Sequence, residues 1–363
     1  MGFFFEISKN KKGVYKMKYI LLNKKSIILV MFIITISLFL NGFGYCNAEA
    51  SVKLWNAGTG PEGSVAYVAI ATMSELVNRY AKDFQLTPIA LSGSIGGLKA
   101  FDKREVDSNY CSAQQLDMIV NKTGAFAPEN YTWQNPFSIM LWPYAQEFYV
   151  IVREEDAEKY KTWNDLKGSK IFPQAKGTSC YEFSEKALGP DGLNIWDTLD
   201  VKSFSMENAA DAMKTGEIDA IMGYGVGSPT GWVQEVIARN DTIVVTPSEE
   251  EMKVIENSAP YISSTTIYPE NFPTNLLNEK RITPGVGYCF IVAPEMEEGY
   301  VYEAVKTMFE NKDELKLVAP ALWAEFSNDP VALQEKYLDK GKQLGIPLHP
   351  GTERLLKELG CNL

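Results

Sequence analysis

Strand-like runs alternate with helix-like stretches along most of this chain, joined by short loops of glycine and hydroxyl residues. Val52 to Trp55 reads as a strand, followed by the loop "NAGTGPEGS". Val65, Val68, Ala69, Met73, Leu76, Val77 and Tyr80 then recur near a 3.6-residue period, which predicts an amphipathic helix. The same unit repeats. Leu86–Leu91 is a strand before "SGSIGG" and a helix running to Lys103, and "SKIF" is a strand before "KGTSCYEFSEKAL". "AMKTGEIDAIMGYG" gives helix, glycine stop and strand, and Pro229 is expected at the first position of a helix running to Ala238. Glu147–Arg153 and Gly285–Pro294 are longer β-rich runs, and the chain from Glu297 is mostly helical. Such alternation implies α/β layers around largely parallel sheets. Two long β runs that bracket a middle block suit a chain that leaves one lobe and later returns to it.

The first fifty residues have another pattern. Seven lysines between Lys9 and Lys25 precede an apolar run, Ile27 to Leu40, and Ala48-Glu49-Ala50 follows. A basic stretch, an apolar core and small residues make a secretory signal peptide, with cleavage expected after Ala50. A spanning helix needs about 20 apolar residues, and Asn41 and Gly42 interrupt this run, so an uncleaved anchor is the weaker reading. A lipoprotein at Cys46 ranks lower, because Phe43 and Tyr45 occupy lipobox positions. Residues 1–50 hold seven Lys and two acids, +5 net; the whole chain is −11, so residues 51–363 carry −16. That balance argues against nucleic acid and anionic membrane surfaces as partners.

Residues 56–67, "NAGTGPEGSVAY", contain Gly58-x-Gly60-x-x-Gly63, the spacing of a dinucleotide-binding loop. That fingerprint also needs an acid at the end of the next strand, where Ala90-Leu91-Ser92-Gly93-Ser94 stands, and Pro61 removes a loop N–H. No cofactor is therefore expected. "GTGPEGS", "SGS" and "KGTS" each place small residues and hydroxyls at a helix start, where free N–H groups and the helix dipole bind anions. Three such ends in two lobes point to a cleft suited to carboxylates. Ser179 and Glu182 also fit a capping box. Cys111, Cys180, Cys289 and Cys361 form no CxxC, and His349 is the one histidine, so no metal site is expected. One disulfide or four buried thiols are both compatible with this spacing.

These segments, in this order, resemble the TAXI-type substrate-binding proteins of tripartite (TRAP) transporters, from about Val52 to Gly360. "AGTGPEGSVAY" is similar to that family's first glycine loop and helix, and "LSGSIGGLKAFDKREVD" to its segment ending in an acidic turn. "TWNDLKGSKI" with "KGTS", and "AMKTGEIDAIMGYGVGSPT", resemble its second-lobe strands and loops. "IPLHPGTERLLKELG" is the most specific match. Two positions depart from the family pattern. Ala66 precedes Tyr67 where paired tyrosines are usual, and Ser112 stands where a glutamine is usual, with Gln114 and Gln115 nearby.

The resemblance implies an α/β, two-lobed, type II-like periplasmic binding fold, with the ligand cleft between lobes joined by β-strand hinges. The expected division is 1–50 signal peptide, 51–150 first lobe, 151–284 second lobe, and 285–363 return to the first lobe. The expected ligand contacts are Gly58, Thr59, Gly60, Ser64, Tyr67, Ser92, Gly93 and Ser94 from one lobe, and Gly177, Thr178, Ser179, Tyr224 and Gly225 from the other. Arg153 is the one candidate for a guanidinium clamp. The implied function is extracytoplasmic capture of a small organic anion or amino acid, glutamate- or 2-oxoglutarate-like, and delivery to TRAP permease subunits. Two other readings stand beside it. One is a secreted sensing or scavenging domain of the same fold. The other is a hydrolase using Cys180 or Ser179 with His349 as base, for which no orienting acid is evident.

Overall fold

The computed structural model describes residues 3–9, 15–21, 52–62, 64–174, 178–273 and 276–363. The chain forms two compact units, 1–51 and 52–363. In the first, β1 (Phe3–Lys9) and β2 (Tyr15–Leu21) make an antiparallel pair. The apolar run at 27–40 and the expected cleavage position lie outside the described residues, as do Gly63 and Gly177. Among the described residues no helix is long and apolar enough to cross a membrane.

The second unit is a mixed α/β fold built on one ten-stranded sheet. Its first half contains β3 (Lys53–Thr59), β4 (Phe84–Ala90) and β5 (Ser108–Ser112), with β3 parallel to both neighbours. β5 then pairs antiparallel with β12 (Arg281–Val292), and β12 with β6 (Ser138–Arg153). The second half contains β7 (Lys170–Phe172), β8 (Asp200–Val201), β9 (Ala220–Gly225) and β10 (Thr242–Val245). β9 and β10 pair antiparallel with β6, and β7 lies parallel to β8 and β9. β11 (Ile262–Ile267) pairs with the start of β12.

β6 joins the halves. Its first part pairs with β12 and its last part with β9, and Glu147 belongs to both ladders, opposite Gly285 and Gly225. The strand expected from Glu147 starts nine residues earlier, at Ser138. Pro143 lies within it because the β6–β12 register shifts there, so the missing N–H costs no ladder bond. The Gln334 side chain stitches the irregularity: Trp142 N–H donates to its Oε1 (2.9 Å) and its Nε2 donates to the Trp142 carbonyl (2.8 Å). Successive β6 residues face opposite cores: Phe148, Val150 and Val152 enter the main one, Tyr149 and Ile151 a second.

Helices cover the sheet. α1 (Val65–Tyr80) buries Ala66, Ala69, Ile70, Met73, Leu76 and Val77. Val68 and Tyr80, expected on that stripe, are exposed, so the buried face is rotated toward Ala66 and Ile70. α2 (Ser94–Asp102) and α3 (Ala113–Asn121) follow β4 and β5. Ser112, the departure from the resemblance, caps α3 in a capping box with Gln115. α4 spans Ser179–Leu188, α5 Ala209–Lys214, α6 Gly231–Arg239 and α7 Glu249–Ser258. α6 does not begin at Pro229. That residue bridges to Gly225 in a tight turn, and Thr230 takes the cap position. The end of the chain is α8 (Glu298–Glu310), α9 (Lys312–Val318), α10 (Ala324–Asn328), α11 (Pro330–Gln343) and α12 (Pro350–Glu358).

The cap of α4 is one residue earlier than the Ser179–Glu182 box suggests. Thr178 accepts from Tyr181 N–H at 3.2 Å, because Thr178 is the last residue with extended backbone. Cys111, Cys180, Cys289 and Cys361 are all free and buried. Cys111 and Cys289 face each other across β5 and β12, with the Cys289 thiol donating to the Cys111 carbonyl at 3.4 Å.

Candidate functional site

Helix starts from both halves of the sheet meet at one pocket of about 350 Å³. Ser64 and Val65 of α1 and Ser94 of α2 come from the first half; Ser179 of α4 with Thr230 and Gly231 of α6 come from the second. Each follows a strand, so each helix points its positive end and its unpaired first-turn N–H groups toward the pocket. Tyr144 and Gln146 of β6, Tyr288 of β12, Tyr110 of β5 and Tyr224 of β9 form the floor and walls. Three of those rings make a ladder: Tyr144–Tyr288 centroids are 5.4 Å apart and Tyr110–Tyr288 centroids 6.4 Å, both near parallel. Cross-strand register sets it, since Tyr144 and Tyr288 are directly paired.

The ladder's phenols stay neutral. Burial pushes Tyr110 up to about 12 and raises Tyr144 and Tyr288 as well, with Tyr110 adding to the shift of both. Among the described residues, none that lines the pocket carries Asp, Glu, Lys, Arg or His. The undescribed stretch 175–177 contains no acid. Gln174 is buried, stands at φ +76° and lines the pocket, where its Nε2 completes no hydrogen bond of standard geometry and interacts only weakly with the Tyr224 hydroxyl. A left-handed non-glycine residue and an unmet buried amide each carry a cost, and both occur in one side chain at this site.

Of the thirteen residues expected from sequence, Ser64, Ser94, Ser179 and Tyr224 line the pocket. Gly58, Thr59, Gly60, Tyr67, Ser92, Gly93, Thr178 and Gly225 do not. Gly58 is demanded by packing: a Cβ there would come within 2.4 Å of Asn109 Oδ1. That need, rather than a pyrophosphate, accounts for the first glycine of the opening motif. Gly60 leaves room for the Ser64 hydroxyl, and Thr59 is fully buried with its Oγ1 donating to the Gly60 carbonyl. Gly93, at φ +131°, makes the turn into α2. Gly225 lets the Ser228–Pro229 turn approach. Tyr67 is half-buried on α1, and Ser92 is exposed. Thr178 acts as the α4 cap.

Arg153 is not a clamp. It ends β6 among Asp156 (2.7 Å), Asp219 (3.2 Å) and the Ile218 carbonyl (2.8 Å). Cys180 borders the pocket, but burial pushes its thiol well up, and Sγ donates to the Met222 carbonyl at 3.8 Å. His349 caps α12 with Nδ1 accepting from Gly351 N–H, while Nε2 lies 3.1 Å from the Met296 carbonyl. Both ring nitrogens are occupied, so the Cys–His reading finds no activated nucleophile and no free base.

Tyr110, Tyr144, Gln146, Gln174 and Tyr288 line the pocket from strands or just past one, where no glycine loop marks them in the sequence. One signal was available: Tyr144 and Gln146 lie two apart and so share one face of a strand.

A sequence profile of the NMT1-like family matches residues 57–360. The chain belongs to the NMT1-like family. This NMT1-like chain is also similar to several solved structures. The periplasmic aliphatic sulphonate-binding protein SsuA of Escherichia coli matches at 14% identity and a TM-score of 0.45, over 85% of this chain and 84% of that one. The ligand-binding component of an ABC-type import system from Staphylococcus aureus matches at 8% and 0.44, over 82% and 95%. The GluR0 ligand-binding core, solved with L-glutamate, matches at 9% and 0.43, over 75% and 99%.

Proposed function

We propose that this chain is an extracytoplasmic solute receptor that takes a small carboxylate into the pocket between its sheet halves, closes on it, and delivers it to a membrane permease of the tripartite type. One observation carries the reading: helix N-termini from both halves, hydroxyls and the unmet Gln174 amide surround one small cavity. Donors gathered around one cavity suit an anion. Contacts supplied by both halves make binding favour the closed state. On this reading residues 51–150 and 285–363 are one lobe, 151–284 is the other, and β6 and β12 are the hinge strands.

The lining also discriminates among carboxylates. An amino acid brings an ammonium group that needs a carboxylate partner, and none is present among the lining residues. We therefore place 2-oxo and 2-hydroxy acids ahead of amino acids. A thermal-shift screen of the full chain against 2-oxo acids, 2-hydroxy acids, amino acids, alkanesulfonates, sugars and NAD tests this. A ligand at 100 times its Kd adds about 2.7 kcal/mol. Stabilisation by 2-oxo acids at lower concentration than their amino analogues supports the reading. Stabilisation by sugars or NAD alone overturns it. Co-purification with a multi-helix membrane subunit separates transport from a sensing role.

A further inference from the structure

A second pocket, of about 780 Å³, borders β6 at Tyr144, Ala145 and Glu147, so Tyr144 stands between it and the front pocket. Glu147 is only 5% exposed and lies at the one residue of β6 shared between the two halves' ladders. Its carboxyl meets the backbone N–H of Gly227 and its own backbone. It makes no ion pair among the described residues. The basic group nearest in influence, Lys336 on α11, donates at 2.9 Å to Glu325 on α10. Lys316 on α9 and Glu270 are the remaining charged lining groups. From its own strand the neighbouring titratable groups are the buried phenols Tyr144 and Tyr149, both held neutral by burial.

A buried carboxyl without a cation is expensive to ionise unless something supplies the charge. Here the residue lines an open cavity that could admit the supplier. We propose that this rear pocket is a second binding site, for a small organic cation, with the Glu147 carboxylate as its counter-ion. A metal ion is disfavoured, because no group of three His, Cys, Asp or Glu residues is gathered among the described residues. The pocket is larger than an ion needs. Ile267 and Leu322 offer apolar wall for a short alkyl part, and the half-exposed Tyr268 ring borders the pocket where a cation can lie against it. Because Glu147 stands where β6 changes partners, a cation there acts on the junction of the halves. The site itself does not depend on what the front pocket binds.

Choline is the probe, since its charge does not change with pH; sodium butyrate is the anionic control. Isothermal titration of the full chain is run at pH 6.5 and pH 9.0. With Glu147 titrating at about 8, the ionised fraction rises about 30-fold between these values. Choline affinity is expected to rise by a similar factor, and Glu147→Gln to abolish both the rise and the binding at pH 9.0. Tyr268→Ala should weaken choline without altering its pH dependence. A pH-independent affinity, equal binding by Glu147→Gln, or preference for butyrate overturns the proposal. The wild-type pH comparison needs no variant to fold. Retained front-pocket binding by Glu147→Gln keeps this test separate from that of the proposed function.

Discussion

Replacing Glu147 by glutamine removes a titrating group from the interior and changes little else, since the amide keeps an acceptor for Gly227 N–H. Burial is the main cause that lifts this carboxyl from the usual 4.5 to about 8. An acid raised in the folded state stabilises the fold relative to its ionised form only while protonated. That contribution is complete below pH 4.5 and is lost as pH rises to about 8. Each pKa unit is worth 1.36 kcal/mol, so wild type should lose about 3 to 5 kcal/mol between pH 5 and pH 9 that Glu147→Gln retains. At roughly 2.1 cal/mol/K of unfolding entropy per residue, that is a relative change of about 5–8 °C in melting temperature. The assay is a pair of urea titrations at five pH values, without organic cations, read as the difference between the two proteins. Other groups titrate in both and cancel. Curves that stay parallel from pH 5 to pH 9 would show that water or a relaxed backbone solvates Glu147, and the buried-carboxyl argument would fail.

Two further outcomes follow from the same geometry. Gln174→Gly removes the pocket's unmet amide and should lower affinity for the front-pocket anion at least tenfold, while folding stability changes by only about 1 kcal/mol, because relief of the positive φ offsets lost burial; titration calorimetry and urea melts measure the two. His349→Ala should cost about 1–2 kcal/mol through loss of the α12 cap and leave solute affinity unchanged; a fall in affinity would restore a functional role to this histidine.

Local pattern carried a large share of the fold. The alternating units, the helical end of the chain and the His349 turn were legible because each is fixed by short-range rules: periodicity, caps, glycine and proline. Errors occurred where tertiary contacts override those rules. The strand expected from Glu147 begins at Ser138, and Gln334, nearly two hundred residues away, supports the irregularity around Pro143. Pro229 reads as a helix start, but its bridge to Gly225 assigns it to the turn before.

The same division holds at the site. Sequence placed Ser64, Ser94 and Ser179 at helix starts, because the strand–loop–helix punctuation that marks a start is local. Only the three-dimensional register brought Tyr144 beside Tyr288 and Tyr110, since cross-strand neighbours are set by pairing between segments more than a hundred residues apart. Sequence also showed Glu147 as an ordinary acid opening a β-rich run. What made it a buried, unpaired carboxyl was the position at which β6 exchanges one partner strand for another, and burial is a property of the assembled sheet, not of the residue.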